Sequence, residues 1–102
     1  MQGMSGVDPR QLVKGWINFN GTGTIAIRSS YNVSSIVDNN TGDYTVNWDR
    51  DFANADYAAV VSVNYEGHVW IVSMAAGNIR IGFTNGLGAW TDESLFCVIA
   101  IK

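Results

Sequence analysis

The chain has 102 residues, of which 47% are hydrophobic and only 15% charged, with a formal net charge of −3; charged residues ordinarily make up about 25%. A chain of this length forms one domain with a small core. The six Lys and Arg are scattered over positions 10, 14, 28, 50, 80 and 102, which excludes the basic stripe of a nucleic-acid binder, and no apolar run approaches the roughly 18–20 residues of a membrane-spanning helix.

Met1-Gln-Gly-Met-Ser-Gly6 has no apolar segment and does not read as a secretory leader. Residues 1–12 read as an N-terminal arm or linker of a domain excised from a longer chain, and 13–102 as the folded unit. Alternation at period two dominates that unit. It predicts strands over about 14–19, 24–29, 31–37, 43–48, 56–64, 68–74, 78–84 and 95–101. In the second, Ile25 and Ile27 alternate with Ala26 and Arg28; in the fourth, Tyr44, Val46 and Trp48 with Thr45 and Asn47; in the seventh, Ile79, Ile81 and Phe83 with Arg80, Gly82 and Thr84. Between them stand Asn20–Gly23 and Asn39–Asp43, whose Asn and Gly tolerate positive φ, a polar connection at Asp49–Asp56, and the longest loop at Asn85–Ser94. The expected fold is an all-β, single-domain antiparallel β-sandwich of about eight strands.

Three strands are apolar on both faces. Tyr57–Val63 sets Tyr57, Ala59, Val61 and Val63 against Ala58 and Val60. Val69–Met74 sets Val69 and Ile71 against Trp70, Val72 and Met74. Leu95–Ile101 sets Leu95, Cys97, Ile99 and Ile101 against Phe96, Val98 and Ala100. A two-layer sandwich covers one face of each sheet, and a bare apolar face is a contact patch. The pattern therefore predicts an obligate homo-oligomer, with Trp70, Val72, Phe96 and Val98 at its interface.

Catalytic and metal constellations find little material. One His and one Cys exclude a zinc site within the chain, and Cys97 reads as a small buried hydrophobe. Gly21-Thr-Gly23 leads into a strand and lacks the helix N-terminus of a phosphate loop. Asp38–Asp43 departs from a calcium loop, because Asp43 stands where glycine is needed; a hairpin turn accounts for it. The sequons at Asn20, Asn32 and Asn39 are expected by chance in so Asn- and Thr-rich a chain. The carboxylates at 49, 51, 56, 92 and 93 all fall in polar loops, with no selectively buried acid for glycoside hydrolysis. The expectation is a non-enzymatic protein without cofactor or metal. Its polar surface of Asn, Ser, Thr and Gly suits uncharged hydrogen-bonding ligands such as sugars, and the candidate contacts are Tyr65, Glu66, His68, Asn85, Trp90 and Asp92. If eight strands alternate in direction, the connections near 20–23, 38–42, 65–67 and 85–94 share one end. That end then presents Asn20, Asn39, Asn40, Tyr65, Glu66, Asn85 and Trp90 away from the N-terminal arm.

The wording of Trp16-Ile-Asn-Phe-Asn-Gly-Thr-Gly-Thr24, Asn32-Val-Ser-Ser-Ile36, Asp38-Asn-Asn-Thr-Gly-Asp-Tyr-Thr-Val-Asn47 and Asp56-Tyr-Ala-Ala-Val-Val61 resembles the C-terminal domain of bacteriophage tail-fibre proteins. Thr91–Ile101 is similar more loosely, and 64–78 and Asn85–Trp90 match no pattern of the family. The resemblance implies a homotrimeric fibre-terminal adhesin of the virion, extracellular, that binds host-surface polysaccharide or protein. It assigns no role to any individual residue. Two other readings fit the residues: a structural domain that caps and registers the fibre, and a carbohydrate-binding module of a bacterial enzyme.

Overall fold

The computed structural model describes residues 13–102; the expected N-terminal arm over 1–12 lies outside them. The described residues form eight strands and no helix: β1 (Val13–Asn20), β2 (Ala26–Tyr31), β3 (Val33–Asn40), β4 (Asp43–Trp48), β5 (Ala58–Val63), β6 (Gly67–Ala75), β7 (Asn78–Asn85) and β8 (Phe96–Ile101). They make two four-stranded antiparallel sheets, ordered β2-β1-β8-β5 and β3-β4-β7-β6.

Alternation decides which side chains meet between the sheets. Ile17 and Phe19 of β1 and Phe96, Val98 and Ala100 of β8 face Tyr44, Val46 and Trp48 of β4 and Ile79, Ile81 and Phe83 of β7. Two aromatic clusters hold the ends of this core. At one, Phe19 stacks on Phe96 at 5.2 Å, and Tyr44 meets both rings at 5.2 and 5.1 Å. At the other, Phe52 stacks on Tyr57 at 4.1 Å and meets Trp48 edge-on at 5.5 Å. Phe52 belongs to the 49–57 connection, which its backbone N–H ties to the Ala76 carbonyl at 2.8 Å. Each aromatic pair adds about 0.5–1.5 kcal/mol beyond burial.

Asn32 alone connects β2 of one sheet to β3 of the other. Its φ is 58°, a left-handed conformation that Asn tolerates. Its amide donates to the Lys14 and Arg50 carbonyls at 3.0 and 3.1 Å and accepts the Arg50 N–H at 2.7 Å. The sequon at Asn32 therefore holds a side chain that splices the two sheets.

Register sorts the connections by end. Asn20 pairs with Ala26, Asn40 with Asp43, Phe19 and Val63 both with Phe96, and Gly67 with Asn85. The connections 21–25, 41–42, 64–66 and 86–95 thus share one end, as the alternation of eight strands requires. Asn32, 49–57 and 76–77 share the other.

The structure corrects the expected interface in one respect. Phe96 and Val98 are 0% exposed inside the sandwich, because β8 is a central strand whose even positions face the core. The bare face of β8 is the opposite one, with Ile99 42% exposed. Register lines Tyr31, Trp16, Ile99 and Val60 in one row across all four strands of this sheet, with Ile101 and Ala58 in the next. Val60, at 63% exposure, is barer than any core position requires. Ile27 is also half-exposed, because β2 is an edge strand.

Candidate functional site

The outer face of the β3-β4-β7-β6 sheet carries the second exposed aromatic group. Trp70 on β6 and Trp90 in the 86–95 connection meet edge to face, with centroids 4.9 Å apart and planes at 72°. The space beneath them comes from Gly82 of β7. A Cβ there would lie 2.9 Å from the Trp70 ring and 3.0 Å from the Trp90 ring, closer than the roughly 3.5–4.0 Å of good carbon contacts. Asp43, Gly82 and Trp70 form one row of the sheet, and Trp90, Thr84 and His68 form the next through the isolated Thr84–Trp90 bridge. Trp90 thus occupies the place beyond the end of β4, where the β3–β4 turn has left the sheet.

The loop bearing Trp90 is clamped on both sides. Asn85 accepts the N–H groups of Leu87 and Ala89 on its side-chain oxygen at 2.9 and 3.1 Å, and its own N–H donates to the Ala89 carbonyl at 2.8 Å. Asp92 Oδ1 accepts the Gly42 N–H at 2.8 Å and the Tyr44 hydroxyl at 2.5 Å. The Gly21 N–H donates to the Glu93 carbonyl at 2.9 Å. Burial, and then the Asp92 carboxylate, push the Tyr44 hydroxyl far above the usual tyrosine range. Gly42 sits at φ 69°, and a Cβ there would fall 2.6 Å from the Phe83 carbonyl oxygen, so the turn receiving Asp92 needs glycine.

Between Trp90 and the β3–β4 turn opens a cleft of about 290 Å³ lined by Asn40, Thr41, Asp43 and Trp90. Its one carboxylate, Asp43, is held in a forked ion pair from outside the lining. Arg80 Nε donates to Asp43 Oδ1 at 2.8 Å and Nη2 to Oδ2 at 2.5 Å, while Asn39 Nδ2 adds a bond to Oδ1 at 3.2 Å. The hydrogen bond from Arg80 holds the Asp43 carboxyl below its ordinary range, against the cost of burial. A larger cleft of about 460 Å³ lies at the opposite end among Lys14, Tyr31, Arg50, Asp51, Phe52 and Lys102. Its charges are mixed; of its two aromatic rings, Phe52 is committed to the core cluster and Tyr31 belongs to the apolar row of the other sheet.

The residues expected at the site divide into three groups. Trp70, expected at a subunit interface, and Trp90, expected at the receptor, belong to one constellation, flanked by His68. Asn85 and Asp92 spend their side chains on holding the Trp90 loop. Tyr65 and Glu66 are exposed on the neighbouring 64–66 connection, with Tyr65 61% bare. Val72 is the extra residue of a bulge, since Ile71 pairs with Ile81 and Ser73 with Arg80. Gly82, Asp43 and Arg80 were not foreseen. A glycine inside a strand is a signal of close approach, but what approaches it depends on a loop and on non-consecutive pairing. Comparison with protein-family models, curated proteins and solved structures gives no match to this chain.

Proposed function

We propose that this chain is the receptor-binding tip of a bacteriophage tail fibre, a non-enzymatic homotrimer of the virion that attaches to a host-surface glycan. The tail-fibre wording of residues 14–61 supports the setting, and the Trp70–Trp90 pair over Gly82 carries the binding role. Two large apolar rings, one on a strand and one in a clamped loop, present contact area whose ordering cost is already met, which is what a binding anchor needs. The cleft beside them is lined by amide, hydroxyl and carboxylate groups that match sugar hydroxyls as donors and acceptors. The three copies pack through the Tyr31–Trp16–Ile99–Val60 row, which leaves the Trp70–Trp90 face outward.

The same apolar row also favours a second reading, a capping domain that registers the fibre without touching a receptor. Host-cell adsorption of Trp90→Ala separates the two. The expected result is at least about a tenfold loss of adsorption, the scale of a binding hot spot, with the oligomer mass by light scattering unchanged. Adsorption equal to wild type would leave the capping reading standing.

A further inference from the structure

The formal charge of the chain is distributed unevenly, and this bears on what the aromatic site accepts. Asp38, Asp43, Glu66, Asp92 and Glu93 lie at the end that carries the Trp90 loop. Asp38 pairs with Tyr44, Asp43 closes the β3–β4 turn, and the other three sit in the 64–66 and 86–95 connections. Among the described residues two cations reach that end: Arg28, whose guanidinium donates to the Ser94 carbonyl, and Arg80 on Asp43. Five carboxylates against two guanidiniums leave −3, the formal charge of the entire chain. Among the described residues the opposite end sets Lys14, Arg50 and Lys102 against Asp49, Asp51 and Asp56 and is neutral; Lys102 Nζ donates to the Asp56 carbonyl at 3.2 Å.

Resting on the receptor-binding reading above, we infer that the Trp70–Trp90 site takes an uncharged saccharide and turns away glycans bearing carboxylate, sulfate or phosphate groups. An anionic glycan needs a cation whose donors are available to it in a fork. Arg80 stands outside the lining of the cleft, and the Nε–Nη2 edge of its guanidinium is taken by Asp43. The groups lining the cleft besides the Asp43 carboxylate are the amide of Asn40, the hydroxyl of Thr41 and the indole of Trp90. Neutral hydroxyls both donate and accept, so they suit amides and hydroxyls, whereas an anion only accepts and meets a net negative field. The two indoles stand at 72° and make a corner, against which the apolar face and rim of a pyranose ring pack together.

The test uses the full chain and its Trp90→Ala variant on an array that pairs neutral hexose and N-acetylhexosamine oligosaccharides with counterparts carrying uronic acid, sialic acid or sulfate. The expected hits are neutral and weaken at least about tenfold in Trp90→Ala. Each acidic counterpart of a hit binds roughly tenfold more weakly at about 50 mM NaCl and recovers toward it at about 1 M, where the field is screened within about 3 Å. The affinity of the neutral partner changes less than about twofold over that range. Trp90-sensitive hits that are predominantly acidic overturn the ligand class and leave the receptor-binding reading intact. An array with no Trp90-sensitive hit in either class overturns the glycan site itself.

Discussion

Replacing Gly82 by Ala tests the aromatic site without touching either ring. The added Cβ would stand 2.9 Å from the Trp70 ring and 3.0 Å from the Trp90 ring, so both must withdraw by about 0.5–1 Å to reach ordinary contact. The pair then loses up to the about 0.5–1.5 kcal/mol that an aromatic contact contributes. Gly82 lies in a strand with its backbone outside the left-handed region, so Ala fits there and returns about 0.4–1 kcal/mol by restricting the unfolded chain. The two terms nearly cancel. The expected change in stability is within about 1 kcal/mol, a shift of at most about 4–8 °C in Tm, while host-cell adsorption falls at least about tenfold. Thermal melting, near-UV circular dichroism of the tryptophans and an adsorption assay, all at one protomer concentration, measure the three quantities. Wild-type adsorption with an altered tryptophan spectrum would refute the role of the pair in binding. A loss of stability above about 3 kcal/mol would show that Gly82 serves the core instead.

Tyr44→Phe removes the hydroxyl that donates to Asp92 and leaves that carboxylate with the Gly42 N–H. A hydrogen bond to a charged group contributes about 1.5–3 kcal/mol, so urea midpoints should report a loss of about 2 kcal/mol at unchanged m-value; a loss below about 0.5 kcal/mol would mean that Asp92 does not clamp the loop. Tyr44 and Tyr57 are both buried, and both hydroxyls are raised above the ordinary tyrosine value, Tyr57 chiefly by burial. Above about pH 10 the unfolded chain releases these protons while the folded chain keeps them, so stability is full below pH 10 and falls as pH rises, by up to about 1.4 kcal/mol per pH unit for each tyrosine. Urea titrations at pH 9, 10 and 11 check this, and a flat profile would contradict it. Val60→Asp combined with Ile99→Asp places charge on the bare apolar row and should give a folded monomer by light scattering; an undiminished oligomer would locate the subunit contact elsewhere.

The strands were legible because each carries its own alternation. Tyr44, Val46 and Trp48, or Ile79, Ile81 and Phe83, declare a buried face without reference to any neighbour. The sorting of connections by end was legible for the same reason, since antiparallel strands reverse in turn. What sequence could not decide was which face of a two-sided strand looks inward. In β8 the Phe96 and Ile99 faces are both apolar, and only the position of β8 between β1 and β5, with β4 and β7 opposite, commits Phe96 to the core. The site was half legible. Trp90 stood out as an aromatic ring in a glycine-rich loop, but its partner Trp70 looked like an interface residue. The ion pair of Asp43 with Arg80 joins strands 37 positions apart, a separation that no local pattern encodes.

Asn85 and Asp92 looked like ligand contacts because both are polar and lie in the longest loop. Their bonds run instead to the backbone N–H groups of Leu87, Ala89 and Gly42 and to the buried Tyr44 hydroxyl. These anchors flank the tip without using its side chains, and Leu87 at the tip is 95% exposed. The side chain of Leu87 can therefore change identity while the path of the loop is held by main-chain partners and by one core tyrosine. Trp90 lies just inside the second anchor, which explains how a residue in an exposed loop holds a fixed position over Gly82. Rigidity thus rests on two polar residues whose chemistry alone would have suggested recognition, and the exposed tip and the Trp90 ring are left free for the proposed contact.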